Sequence, residues 1–187
     1  MWKWTQEGLD RARQLIQSGL EIIGENELFY IALGFIHTQY INFVLSKDKS
    51  HLQKAEEYAR KAFALNPGSA RGHFLMGFIE HCQQNNEEAV KELKLALTID
   101  PNDPETLNML AYACAMTGKE SAAEPLFKKA FEIDPLNPLI HFFYMACQWY
   151  GGRFDAALES YSTARRLDPE NPLTLVCHGY LLAYTCR

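Results

Sequence analysis

Small and bulky apolar residues recur along the chain at a spacing of 34 residues, separated by polar and charged stretches. The segment 70–137 contains this pattern twice without a gap, and the matched pairs are Ala89 and Ala123, Leu93 and Phe127, Ala96 and Ala130, and Pro101 and Pro135. The same spacing continues forward to Ala157, Tyr161, Ala164 and Pro169, and backward to Ala55, Ala62 and Pro67. Within each period the apolar residues follow helical spacing, and each period ends at a proline, which cannot continue a helix. The pattern therefore predicts helix pairs that stack along the chain.

This pattern resembles the tetratricopeptide repeat (TPR) family, whose unit is a 34-residue helix–turn–helix. The family places a large residue, a Leu and a small residue on the first helix, and here these are Leu107, Leu110 and Ala111. On the second helix it places Ala, an aromatic residue and Ala, followed by Pro, and here these are Ala123, Phe127, Ala130 and Pro135. The resemblance covers roughly residues 9–187 and implies an all-α fold, a right-handed superhelix of antiparallel helix pairs.

The repeat pattern divides the chain into segments that together predict one TPR-array domain, 1–187. The segments are a half repeat at 9–26, a repeat with a nine-residue insertion at 27–69, regular repeats at 70–103, 104–137 and 138–171, and a terminal half repeat at 172–187. The insertion lies between Gly34 and Ala55, so we expect the first helix of that repeat to extend to about Ser46, with the turn at SKDKS. Both ends fall in mid-repeat, which favours a piece of a larger protein over a chain whose end packs on something else.

Two residues depart from the repeat pattern. Met145 takes a slot where the family has Gly or Ala, which predicts a splayed or locally shifted repeat at 138–171. Pro125 lies well inside a second helix, where it should kink the helix or delay its start.

Composition excludes several classes of partner. The net charge of −5 argues against binding to a nucleic-acid backbone. Five cysteines form an odd set without a CxxC pair, which favours a reducing cytoplasm over a disulfide framework. Residues 28–46 carry no formal charge over a length close to a bilayer span, but His37, Thr38 and Gln39 in the middle argue against a membrane helix.

The six histidines do not form a recognisable metal or catalytic motif. His73, His141 and His178 take core slots of first helices, which favours packed histidines. Neighbouring residues such as His81 and Cys82 diverge by about 100° on a helix and cannot share one metal. No HxxxH, P-loop, GxGxxG or GxSxG occurs. We therefore expect no enzyme activity, no cofactor and no metal site.

The first helices carry few charges and many aromatic residues, whereas the second helices are densely charged. In the TPR family the first helices line the inner surface, so the resemblance implies a partner-binding groove there. Its predicted residues are Ile31, Phe35, Phe74, Phe78, His81, Asn108, Tyr112, Phe142, Trp149 and Tyr180. Part of this set could instead pack between repeats as core. Chaperone-binding TPR domains use a clamp of Lys, Arg and Asn, and since only Asn108 matches it in type, we do not expect carboxylate-clamp function.

The function predicted from the sequence is a non-enzymatic scaffold that binds a peptide or helix through this aromatic groove. The partner would be an apolar or amphipathic protein segment, without nucleic acid or membrane. Two alternatives remain open: a self-associating module that forms a homodimer, and a regulatory or sensor region of a larger signalling protein.

Overall fold

The computed structural model describes residues 5–42 and 45–169, together with Gly179 and Leu181. In these residues the chain forms nine α-helices and no strand, which confirms the all-α prediction. The helices are α1 Gln6–Ile23, α2 Glu27–Asn42, α3 Ser50–Leu65, α4 Ala70–Cys82, α5 Asn86–Ile99, α6 Pro104–Met116, α7 Glu120–Ile133, α8 Pro138–Tyr150 and α9 Phe154–Leu167.

The repeat period is visible in the helix bounds themselves. Helices α4, α6 and α8 begin at 70, 104 and 138 and end at 82, 116 and 150, and α5, α7 and α9 keep the same 34-residue spacing. Side chains of Ser69, Asp103 and Asn137 cap the three first helices by accepting hydrogen bonds from backbone N–H groups. Pro104 and Pro138 begin their helices. At this position the N–H that proline lacks would have no hydrogen-bond partner within the helix.

The turns within the regular repeats share one backbone motif. A residue with positive φ follows each first helix, and these residues are Gln84 (φ 68°), Gly118 (φ 73°) and Gly152 (φ 72°). The next residue then donates its N–H back to the helix, at 2.8–2.9 Å, from Asn85 to Glu80, from Lys119 to Cys114 and from Arg153 to Gln148. This left-handed C-terminal cap reverses the chain at the same place in every repeat.

The chain divides into two compact units, Met1–Pro101 and Asn102–Arg187, so the single-domain array stays a prediction. In the N-terminal unit α2 packs on α3 and α4 packs on α5, while α4 also contacts α2 and α3. Its fully buried core includes Leu33, Ala55, Ala59, Leu75 and Ile79. Gly77 allows the close contact of α4 and α5, because an added Cβ would lie 2.6 Å from Cγ of Leu93.

In the C-terminal unit α6 packs on α7 and α8 packs on α9, while α8 also contacts α6 and α7. Met145 is buried in one apolar cluster with Ala157, Tyr161 and Leu181. The bounds of α8 and α9 are not shifted from the period, so the local shift predicted from Met145 does not appear in them. An unbranched, flexible methionine side chain can fill the space beside small Ala157 without moving the helix ends.

Three sequence predictions about helix bounds need correction. Helix α1 begins at Gln6 because Thr5 caps it, earlier than the predicted residue 9. Helix α2 is described to Asn42, and Leu45 and Ser46 are no longer helical, so α2 does not reach the predicted end at about Ser46. The N–H of Ser46 bonds back to the carbonyl of Tyr40, and Asp48 accepts hydrogen bonds from Ser50 at the start of α3. Pro125 predicted a kink or a delayed start; the delayed start is wrong, because α7 begins at Glu120, in phase with α5 and α9, and the kink stays a prediction.

Apart from Gly179 and Leu181, the predicted terminal half repeat lies outside the described residues. In the described part of the chain, no helix combines the length and the apolar composition that crossing a bilayer requires.

Candidate functional site

In the N-terminal unit, helices α2 and α4 bring five of the predicted groove residues together. The ring centroid of Phe35 lies 5.3 Å from that of Phe74 and 6.0 Å from that of Phe78. The Phe78 ring in turn lies 6.4 Å from the His81 ring. Such spacings are typical of tilted aromatic pairs, so α2 and α4 share one aromatic cluster.

Burial divides this cluster into a base and an accessible part. Ile31, Phe74 and Phe78 are buried, with Phe78 only 7% exposed, whereas Phe35 and His81 are partly exposed. The three buried side chains therefore pack as core within the unit. A partner at this surface would meet Phe35 and His81 first.

His81 is held in a defined orientation at the end of α4. Its Nδ1 lies 2.9 Å from Oδ1 of Asn86 at the start of α5. Burial lowers the pKa of His81 below its ordinary value, against the opposing effect of the Asn86 hydrogen bond. The imidazole is therefore mainly neutral at pH 7 and offers a planar, uncharged edge.

In the C-terminal unit, helices α6 and α8 carry a second aromatic cluster. The Tyr112 ring lies 4.9 Å from Phe143, and Phe143 lies 5.1 Å from Phe142. At the other end of α8 the Trp149 ring lies 5.2 Å from Phe154. Tyr112, Phe142, Phe143 and Trp149 are all partly exposed. Tyr180, the last predicted groove residue, lies outside the described residues.

Phe143 is a candidate that sequence reasoning missed. It directly follows the predicted Phe142, and its slot is filled by Leu75 and Met109 in the two preceding repeats. Those two side chains are buried, so the slot is typical of core. The sequence did contain a signal for Phe143, namely an aromatic residue at a slot that is aliphatic in the two preceding repeats.

Asn108 on α6 has an unusual environment for an amide. The side chain is 4% exposed, and its Oδ1 is buried without a hydrogen-bond partner among the described residues. Leaving such a group unsatisfied costs about 1–3 kcal/mol, and native proteins rarely do so. Packing alone therefore does not explain an asparagine at this position.

Two cysteines of the described helices, Cys82 and Cys147, are poorly suited to chemistry. Burial raises the pKa of both Cys82 and Cys147 to about 12, so each thiol stays protonated at neutral pH. A protonated thiol is a weak nucleophile and a weak metal ligand. Within the described part of the chain, no three His, Cys, Asp or Glu side chains are grouped so that they could hold a metal.

A polar cluster that the sequence did not predict lies where α1, α2 and α3 meet. Nδ1 of His37 on α2 lies 2.9 Å from Nδ1 of His51 on α3. A cavity of about 390 Å³ adjoins the pair, and residues of α1 and α3, including Arg13 and Lys54, line it. The two histidines are 14 residues apart, and only the pairing of α2 with α3 brings them into contact.

Family models described as tetratricopeptide repeat match residues 47–104 and 104–135. Residues 47–135 form tetratricopeptide repeats. No curated protein sequence matches the chain.

Solved TPR structures resemble the chain over nearly its whole length. TTC0263, a thermophilic TPR protein of Thermus thermophilus, is 20% identical with a TM-score of 0.73, over 95% of this chain and 92% of that one. PilF of Pseudomonas aeruginosa is 19% identical with a TM-score of 0.62, over 96% and 78%. YrrB, a TPR protein described as having an unusual peptide-binding site, is 19% identical with a TM-score of 0.55, over 93% and 85%. At these identities the likeness shows the shared α-helical repeat fold.

Proposed function

We propose that this TPR protein is a non-enzymatic scaffold that binds a segment of another protein through aromatic side chains of its first helices. The repeat fold is consistent with protein–protein interaction. The observation that carries the proposal is a set of partly exposed aromatic residues on α6 and α8, namely the cluster of Tyr112, Phe142 and Phe143, and Trp149 at the other end of α8. Aromatic side chains of this kind are the usual energetic anchors of protein interfaces.

The character of α8 indicates the chemistry of the partner. Helix α8 contains no Asp, Glu, Lys or Arg, whereas α9 beside it carries two acidic and two basic residues. A surface without formal charge attracts apolar side chains and disfavours a charged segment, which would lose hydration without gaining an ion pair. We therefore propose an apolar or amphipathic segment, such as a helix with anchors every three or four residues.

Asn108 adds a polar element to this proposal. Its unsatisfied Oδ1 is buried in the unbound protein, so a partner's N–H could satisfy it once the side chain rotates toward the surface, which would remove a cost already present in the unbound protein. In the N-terminal unit, Phe35 and His81 would supply further contacts above the buried Phe74 and Phe78. The peptide-binding site described for YrrB supports such a use of a TPR surface.

The proposed location is the cytoplasm, on the sequence argument from the odd set of cysteines. Homodimer formation and a role within a larger signalling protein stay predictions.

The binding proposal is tested by truncating the exposed anchors. In Tyr112→Ala and Trp149→Ala variants we expect partner affinity to fall by about 2 kcal/mol, roughly 30-fold, because each removes a large contact ring. Partners are captured on the tagged chain and identified by mass spectrometry, and their affinity is then titrated with each purified variant. Leu158→Ala is the matched control, because Leu158 is 44% exposed on α9, a second helix of the same unit. Unchanged affinity in both aromatic variants, or an equal loss in the control, would contradict the proposal.

Asn108→Leu extends the same titration. If the amide serves binding, this variant should be at least as stable as the wild type and should bind more weakly, because leucine fills a similar volume without an unsatisfied oxygen. A variant that melts lower and binds normally would assign Asn108 to folding instead.

A further inference from the structure

The His37–His51 contact joins α2 to α3 at a buried position. His37 is 4% exposed, and the two Nδ1 atoms lie 2.9 Å apart, a hydrogen-bond distance. Two imidazole nitrogens at this separation need one proton between them, so one ring donates and the other accepts. The contact therefore depends on the protonation state of both rings.

Tyr40 connects this pair to α1. The Tyr40 ring stacks on His51 with a centroid distance of 4.4 Å, and its hydroxyl donates a 2.6 Å hydrogen bond to Oδ1 of Asp10 on α1. The titratable and charged groups around the pair are Asp10 and Arg13 of α1, Tyr40 of α2, Asp48 of the link before α3, and Lys54, Glu57 and Tyr58 of α3. The cluster is thus a polar junction of three helices.

Apolar contacts also hold α1 in place. Leu9 and Ala12 of α1 share a cluster with Ile36 of α2, and Ile16 and Leu20 of α1 pack against a second cluster that includes Ala62 of α3. Residues of α1, among them Asp10 and Arg13, line the cavity beside the histidine pair, so α1 covers this side of the junction.

From this geometry we infer that the His37–His51 pair is an acid-sensitive latch, whose protonation undocks α1 from α2 and α3. The neutral pair keeps the Nδ1–Nδ1 hydrogen bond. A first proton on His37 leaves that bond in place but puts a charge at a buried position near Arg13 and Lys54, which the docked state disfavours. A second proton places an N–H on both facing nitrogens, and the two cationic rings then repel each other. Asp48 and Asp10 favour a charged His51, so His37 carries most of the response.

The direction of the response follows from burial. Burial, followed by the nearby His51, Lys54 and Arg13, lowers the pKa of His37 from 6.5 to about 4, and burial also lowers the pKa of His51. Because the docked state favours neutral rings, its stabilisation is complete above pH 6.5 and is lost as the pH falls from 6.5 toward 4. The Tyr40 hydrogen bond lowers the pKa of Asp10, so this carboxylate stays charged through that interval.

Undocking would change the surface that the N-terminal unit presents. Leu9 and Ala12 on α1, and Ile36 and Tyr40 on α2, are buried against one another in the docked state. Release of α1 would expose this apolar cluster, so the available binding surface would depend on pH.

Hydrogen–deuterium exchange of the full chain at pH 7.5 and 5.0, corrected for intrinsic exchange rates, tests the latch. With pKa values of 6.5 in the open state and about 4 in the docked state, His37 alone should raise the opening equilibrium of α1 roughly 30-fold on acidification. His37→Phe retains a ring against Tyr58 but takes up no proton, so its response should be several-fold smaller. The matched control is His73→Gln, since His73 pairs with Glu92 between α4 and α5, away from α1; it should respond like the wild type.

An α1 whose protection is unchanged between the two pH values in the wild type would overturn the inference. So would an undiminished response in His37→Phe, or a response lost equally in His73→Gln. Should His37→Phe fail to fold, His37→Gln provides the same comparison, because its amide can hydrogen-bond to His51 but does not titrate in this range.

Discussion

Gln84 takes a backbone conformation that ordinary side chains rarely adopt. Its φ is 68°, and the two corresponding turns downstream have glycine at this position. A side chain in the left-handed region costs about 1–2 kcal/mol, which glycine avoids at the expense of greater freedom in the unfolded chain. We therefore expect Gln84→Gly to raise the free energy of unfolding by about 0.5–1 kcal/mol, measured by chemical denaturation.

The reverse change at an equivalent turn provides the control for Gln84. Gly118→Ala, at φ 73°, should lower stability by about 1 kcal/mol. Lower stability in Gln84→Gly would show that the glutamine side chain contributes more than its strained backbone costs.

At the scale of one element, α7 contains Pro125 in its interior, where proline normally kinks or ends a helix. Pro125 is exposed and lies six positions into a helix whose bounds match those of α5 and α9. The packing of Ala123, Phe127 and Ala130 holds the helix although Pro125 cannot donate to the carbonyl of Ser121. Pro125→Ala restores that bond, so we expect a gain of about 1–2 kcal/mol, read as a higher midpoint of helix unfolding by circular dichroism. An unchanged or lower midpoint would mean that stiffening of the unfolded chain by proline outweighs the missing bond.

At the scale of the whole molecule, neighbouring elements stabilise one another through shared clusters. Leu181 is buried with Met145, Ala157 and Tyr161, so it covers α8 and α9. Leu181→Ala should cost about 2–4 kcal/mol, because it leaves a cavity in that cluster. Since repeat arrays couple mainly between nearest neighbours, hydrogen exchange should rise in α8 and α9 far more than in α2 and α3.

Two results would contradict this account of Leu181. One is a loss of protection spread evenly over all helices, which would indicate a single cooperative unit rather than local coupling. The other is unchanged stability, which would indicate that Leu181 contributes little to the cluster. Leu158→Ala, an exposed truncation on α9, should change stability by well under about 1 kcal/mol and serves as the control.

The sequence by itself determined the helical repeat and most of its bounds. Caps at Ser69, Asp103 and Asn137, prolines at helix starts and the spacing of small residues are local signals, and each acts on the few residues around it. Local signals of this kind can be read directly from the chain. The same reading located the aromatic first helices, because their composition contrasts with the charged second helices.

Only the tertiary structure decided how those side chains are used. Phe78 and Tyr112 occupy equivalent slots, yet Phe78 is buried beside Phe35 and Tyr112 stays partly exposed. Burial depends on neighbours contributed by other helices, which a repeating pattern does not distinguish. For the same reason the unsatisfied Asn108 and the contact of His37 with His51 could not be predicted, since each is created by packing between helices rather than by spacing along one.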